Sequence, residues 1–318
     1  MGTVDAYLNQ IRSSLHLDPN TESKVIGELE TYFQDKIEDL QTEGLTEADA
    51  ARQAIDSFGA PRKVARLLYE AHSRGSWLEA LLAAQPALLG AGLFATHLWS
   101  RPLVLIPVFS LLLVVTLLGW LRGKPNWLYP WIGFGFAPVL AVVFLSRTFV
   151  YGSVYNIVIG SGVSAEHVSL LLFLGLYGVA FWIVLAVVSR ILKRDWLLVS
   201  YMLLPLPLLG IWIAAIDGVG QVLFTVGLRV HQWDRSMVLA LLLLGLSALV
   251  FTRLRPRLSK VAALLMIGMG STTIAGWSML GANNFFNLLL ISAIPISTVL
   301  LPAAMQSLFV HPSQTTER

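Results

Sequence analysis

Apolar residues recur at three- and four-residue spacing along the first seventy positions, and in long runs after residue 77. The first pattern predicts short amphipathic helices that share a core; the second predicts helices immersed in lipid. Val4, Leu8, Ile11 and Leu15 form the stripe of a first helix, which should stop near Asp18-Pro19. A second is predicted from about Thr21 to Glu43, with Val25, Ile26, Leu29, Phe33, Ile37 and Leu40 inward and Glu28, Asp35, Lys36 and Asp39 solvated. Gly44 suits its C-cap. Thr46 followed by Asp49 resembles a capping box and opens a third helix whose Ala51, Ala54, Ile55 and Phe58 face inward. Gly59 ends it, and Pro61 fits the first position of a fourth helix carrying Val64, Leu67 and Leu68. None of these helices is long enough to stand alone, so they must pack together.

After the Gly75-Ser76 break, eight apolar runs approach the ~20 residues that a bilayer requires: 78–98, 103–121, 127–146, 168–189, 196–216, 236–252, 261–281 and 286–305. Seven is the alternative count, because the first run carries Glu79 and Gln85 and the sixth is short. The expected fold is all-α: a small N-terminal cytoplasmic bundle at 1–76, a polytopic membrane domain of about eight helices at 77–310, and a short tail at 311–318.

Composition agrees with that division. Of 318 residues, 56% are hydrophobic and 13% charged, too little polar surface to cover a soluble globule. Cysteine is absent, which removes disulfides and thiol chemistry. The net charge of +3 conceals an opposition between regions. Residues 1–76 hold 13 acidic against 8 basic side chains, whereas the rest holds 6 against 14. An acidic front module repels phosphate, so direct nucleic-acid binding is not expected. With the N-terminus inside, the inner connections contain Arg122, Lys124, Arg190, Lys193, Arg194, Arg253, Arg255, Arg257 and Lys260; the outer ones contain only Arg101, Arg147, Arg229 and Arg235. The asymmetry predicts a cytoplasmic N-terminus, and an even number of spans then puts the C-terminus on the same side.

The segments YLNQIRSSL and ELETYFQDKIEDLQTEGLTEADAARQAIDSFGAPRKVARLL, within residues 4–70, resemble the HAAS signalling domain and its relative, the permease prefix domain. Glu43-Gly44, the run from Ala50 to Ile55, and Phe58-Gly59 with Pro61 carry the resemblance; Tyr32 stands where many members have histidine. The resemblance implies a bacterial cytoplasmic module joined to membrane helices and often partnered by a PadR-like transcription factor. It makes Glu43, Gly44, Phe58, Gly59 and Pro61 a candidate partner-binding motif, although each also reads as a cap, turn or packing position.

In the membrane part, the stripes Ala83/Ala87/Ala91/Ala95 and Gly268/Thr272/Gly276 predict close helix contacts. Prolines at 86, 107, 138, 205, 207, 295 and 302 mark moving or broken helices on one reading and ordinary kinks on the other. Two long outer connections, 147–167 and 217–235, collect polar groups. From them Arg147, Tyr155, Glu166, His167, Asp217, Arg229 and His231 form a candidate outer-face ligand site, with interfacial anchoring as the plainer account. The six histidines are scattered without a pair at ligand spacing, so no metal or cofactor is expected. Ile159-Gly160-Ser161-Gly162 lacks the first glycine of a G-x-S-G motif, Glu166-His167 is no H-E-x-x-H, and no phosphate-binding loop occurs, so no enzyme is expected.

Together these features predict a membrane signalling protein whose front module relays a membrane state to a cytosolic regulator, with residues 70–77 as the coupling joint. Replacing Gly75-Ser76 by Ala-Ala is expected to change signalling while both parts stay folded. The alternatives are a transporter or permease component with a regulatory prefix, and an assembly subunit of a membrane complex.

Overall fold

The computed structural model describes residues 2–136, 139, 165–218, 230–281 and 285–310. Among them the chain is all-α. The front module consists of α1 (Gly2–Leu15), α2 (Pro19–Thr42), α3 (Glu47–Phe58) and α4 (Pro61–His72). Local chemistry fixes where each begins. The Asp18 carboxylate accepts the Thr21 N–H at 3.1 Å, with Pro19 supplying the helical φ of the first position. The Thr46 hydroxyl accepts the Asp49 N–H at 3.3 Å and donates to the Asp49 carboxylate at 2.7 Å. Gly44 and Gly59 turn the chain between helices at φ +96° and +85°, where a side chain would be strained.

The four apolar stripes close on one core in which Ile11, Leu15, Phe33 and Ala50 are wholly buried. Tyr7 and Phe58 pack against Phe33, and the Tyr7 hydroxyl donates to the Gly59 carbonyl at 2.9 Å, tying α1 to the α3–α4 turn. One position departs from expectation. Leu67 is 57% exposed, because two residues on a helix are ~200° apart and the inward row of α4 is Ala65 and Tyr69.

The remaining described residues form a bundle of α5 (Trp77–Ala95), α6 (Pro102–Leu121), α7 (Leu128–Gly135), α8 (Ala165–Leu192), α9 (Trp196–Leu203), α10 (Pro205–Gly218), α11 (Asp234–Arg253), α12 (Arg257–Met279) and α13 (Phe285–Val310). Seven spans among the described residues are long and apolar enough to cross a membrane. The third predicted run, 127–146, is described only in part, chiefly as α7. The predicted run 196–216 is a single span: Leu204, between α9 and α10, keeps helical dihedrals (φ −54°, ψ −36°) ahead of Pro205. This pair is the centre of the bundle: 78% of its apolar window is buried, against 6% for Leu174–Leu192 and 11% for Leu103–Leu121. Those outer helices turn Leu103, Leu121, Phe181 and Trp182 away from the protein, as a lipid-facing surface requires.

Small residues allow the close pairing of α5 with α11. Ala83, Ala87 and Ala91 are buried, and a Cβ at Gly245 would lie 3.7 Å from that of Ala87; Ala95, by contrast, is exposed, so the stripe ends at Ala91. Gly268 and Gly276 likewise admit Leu204, Pro295 and Ile291 against α12. Pro86 cannot donate to the Leu82 carbonyl one turn earlier, and the Trp131 indole N–H fills the gap at 2.8 Å. Glu79, a blemish in an apolar run, proves to be a cap: its carboxylate accepts the Ser76 N–H at 2.7 Å while the Ser76 hydroxyl accepts the Glu79 N–H.

Candidate functional site

Among the described residues, the module meets the bundle at three loops, and they are loops that carry the basic excess. The first follows α6. Gly123, at φ +93°, brings the chain against Asn20, whose amide donates to the Arg122 carbonyl at 3.4 Å. At the second, between α8 and α9, the Arg194 guanidinium donates to the Leu17 carbonyl at 2.5 Å and to the Tyr129 hydroxyl at 3.1 Å. The His16 ring donates to the Arg194 carbonyl at 3.1 Å. The turn from α1 to α2 is thus held by two loops distant in sequence.

The third loop joins α11 to α12 and receives the end of α4. The Gly75 N–H donates to the Thr252 carbonyl at 3.0 Å, the Arg253 guanidinium donates to the Gly75 carbonyl at 2.9 Å, and the Ser73 hydroxyl donates to the Arg255 carbonyl at 3.3 Å. Arg253 also lies over the Trp77 ring, 4.2 Å from its centroid. Beneath these contacts lies a buried charge. Lys260 is 2% exposed, and its ammonium donates to the Tyr69 hydroxyl at 3.1 Å while lying 5.0 Å from the Phe251 ring centroid. Arg257 completes the cluster by pairing with Asp195 at 2.5 Å; the same carboxylate oxygen caps α9 by accepting the Leu197 N–H. Burial pushes the Tyr69 hydroxyl far above its ordinary pKa, the Asp195 charge adds to the rise, and Arg257 opposes it. The hydroxyl therefore stays neutral, a fixed acceptor for the ammonium.

The expected partner motif is dispersed by the fold. Glu43 and Gly44 lie at the start of the turn into α3, whereas Phe58, Gly59 and Pro61 lie at its other end, about 18 Å away along twelve residues of helix. Phe58 is half-buried against Phe33, and the glycines turn the chain. A different surface of the module is concave. A cavity of about 490 Å³ between α1, α2 and α3 has Val4, Phe33 and Ile37 in its lining beside Asp5, Glu30 and Glu38. It opens well up α2, about 25 Å from the Asn20 contact at Ile37.

At the opposite end of the bundle, Arg147, Tyr155 and Arg229 lie outside the described residues. Glu166 and His167 fall in the first turn of α8, and Asp217 in the last turn of α10. His231 is brought into a cluster, with partners other than those expected. It sits in the turn before α11 and its Nδ1 is 2.9 Å from an Asp234 carboxylate oxygen; the His97 Nδ1 bonds to that same oxygen. The other oxygen accepts the Trp99 indole N–H at 2.9 Å, and Asp234 is 2% exposed. The expectation of scattered histidines fails here, since pairing of α5 with α11 brings together residues 134 positions apart.

Residues 6–66 match the family model named HAAS, which covers α1–α3 and the first half of α4. HAAS domains are protein-interaction modules. No curated protein and no solved structure matches the chain. Tyr69, Ser73 and Gly75 lie just beyond the matched residues, whereas His16, Leu17 and Asn20 lie within them.

Proposed function

We propose that the chain is a non-enzymatic signalling protein of the bacterial inner membrane, with both termini in the cytoplasm. Its bundle registers a condition of the membrane or its far side, and the HAAS-like module relays it to a cytosolic partner, a PadR-like transcription factor. The observation that carries this reading is the attachment of α4 to the bundle through Tyr69, Ser73 and Gly75, which leaves the acid-rimmed cavity of α1–α3 on the far part of the module. Basic loops grouped around the module also support the orientation, since Lys and Arg collect on the cytoplasmic side. A relay requires that the partner bind the module differently in two states of the bundle.

The test uses the full chain in native membranes with a reporter under the regulator's control. Loosening the joint by Tyr69→Phe should shift the reporter and change capture of the purified regulator by the full chain in nanodiscs. An unaltered reporter and unaltered capture, with the joint shown to be loosened, would count against the relay. Pro205 and Pro207 within the central span favour a second reading, a transporter or permease component with the module as a regulatory prefix. Substrate uptake into liposomes by the purified chain would identify it. Purification at fixed stoichiometry with other membrane proteins, and no regulator, would instead indicate an assembly subunit.

A further inference from the structure

We propose that His97, His231 and Asp234 form a binding site for a divalent d-block cation of the Zn²⁺ class, at the end of the bundle opposite the module. The proposal stands apart from the signalling reading and does not depend on it. One donor atom from each of the three residues lies within 4.8 Å of the other two. Bonds of about 2.0–2.2 Å in a tetrahedral site separate ligand atoms by roughly 3.4 Å, so the 2.9 Å contact between His231 and Asp234 needs to open by about half an ångström and the shorter His97–Asp234 contact by about twice that.

The elements holding these residues make the arrangement specific. Asp234 is the first residue of α11, buried, with one carboxylate oxygen occupied by Trp99 and the other turned toward both imidazoles. This is how a ligating carboxylate is usually oriented, by a hydrogen bond to the oxygen that does not bind. His97 follows α5 at φ +56°, a left-handed conformation uncommon for a residue with a side chain, and it directs Nδ1 at Asp234. The two rings pack edge to face with centroids 4.6 Å apart. The backbone at His97 and the Trp99 bond both serve to place a donor beside Asp234.

Two imidazoles with one carboxylate select Zn²⁺ and its neighbours over Ca²⁺ or Mg²⁺, which prefer six or more oxygens. Three protein ligands leave a fourth position free. A cavity of about 480 Å³ lined by His97, Asp234, Arg235 and Phe94 provides room for it. Because Arg235 already contributes a positive charge to that wall, the fourth ligand is an anion or a hydroxide rather than a neutral group. Without metal, both rings donate to one carboxylate oxygen; with it, the rings and that oxygen bind the ion, and α5 is clamped to the start of α11.

The test titrates Co²⁺ and then Zn²⁺ into the untagged, full-length chain in nanodiscs. One Co²⁺ per chain should bind with the intense visible absorption of a tetrahedral site, and Zn²⁺ should displace it where excess Ca²⁺ and Mg²⁺ do not. His97→Gln and His231→Gln keep an amide that can donate to Asp234 but remove an imidazole ligand. Each should weaken binding at least about 100-fold while leaving metal-free melting unchanged, and Trp99→Phe should weaken it about tenfold, as loss of an orienting group does. Should a variant fail to fold, the wild-type titration decides by itself. No Co²⁺ band in the folded wild type, displacement by Ca²⁺, or full-strength binding in folded glutamine variants would each overturn the proposal.

Discussion

The helix pair α5–α11 is fastened at both ends, in two different ways. At the module end the bonds are backbone to backbone, guanidinium to carbonyl, and ammonium to a buried hydroxyl, between Gly75, Thr252, Arg253, Tyr69 and Lys260. At the far end, two imidazoles and one carboxylate face each other. The first set is a network of hydrogen bonds shared by backbone, guanidinium, ammonium and hydroxyl groups, whereas the second offers the nitrogen and oxygen donors from which d-block metal sites are built. On the proposed relay, a change on the far side would travel to the module through a pair of closely packed helices rather than through a flexible tether. The coupling still requires two arrangements of that pair, and contiguity alone does not establish them.

The largest expected effect is at the joint. Tyr69→Ala removes a buried aromatic ring and leaves the Lys260 ammonium without its oxygen, which should cost about 3–5 kcal/mol and expose residues 70–76 to protease in inverted vesicles. If that segment stays protected, the joint does not rest on Tyr69. Gly75→Ala places a Cβ 2.6 Å from Thr252 Cγ2 and should destabilise the joint by about 1–3 kcal/mol. Adding Thr252→Ala should recover most of that loss, a non-additivity readable as a double-mutant cycle in thermal melting. Ser76→Ala deletes the capping hydroxyl of α5 and should cost about 1 kcal/mol by the same assay. The double alanine replacement at Gly75-Ser76 is therefore expected to strain the joint and uncap α5. Leu67→Ala, on the exposed face of α4, should change stability by under about 0.5 kcal/mol. None of these changes should alter Zn²⁺ binding at the far end, and a loss of that binding would show that the two ends are not separable.

The front module was legible because its signals are local. Asp18, Gly44, Thr46, Gly59 and Pro61 terminate helices through atoms a few residues away, and the periodic stripes name most of the core. Leu67 was misplaced because Val64, Leu67 and Leu68 satisfy helical spacing as well as the row that is buried. In the bundle, the apolar runs gave the spans, whereas the burial of the central one, Trp196–Ile216, depends on neighbours that no local pattern encodes. Lys260 was counted among loop charges; its burial follows from the arrival of Tyr69 from 191 residues upstream. The His97–Asp234 contact was illegible for the same reason, being created by the pairing of α5 with α11. A hint was available in the His231-x-x-Asp234 spacing, which places two potential ligands one helical turn apart.

The absence of cysteine permits a direct test of the docked module. Chains carrying Ser73→Cys with Arg255→Cys, or Asn20→Cys with Gly123→Cys, would be oxidised in native membranes. Ala87→Cys with Gly245→Cys would serve as the control inside the bundle, where the Cβ separation of 3.7 Å suits a disulfide. Intramolecular cross-links in all three chains are the predicted result; a cross-link in the control with none in either joint pair would contradict the attachment of the module to the bundle.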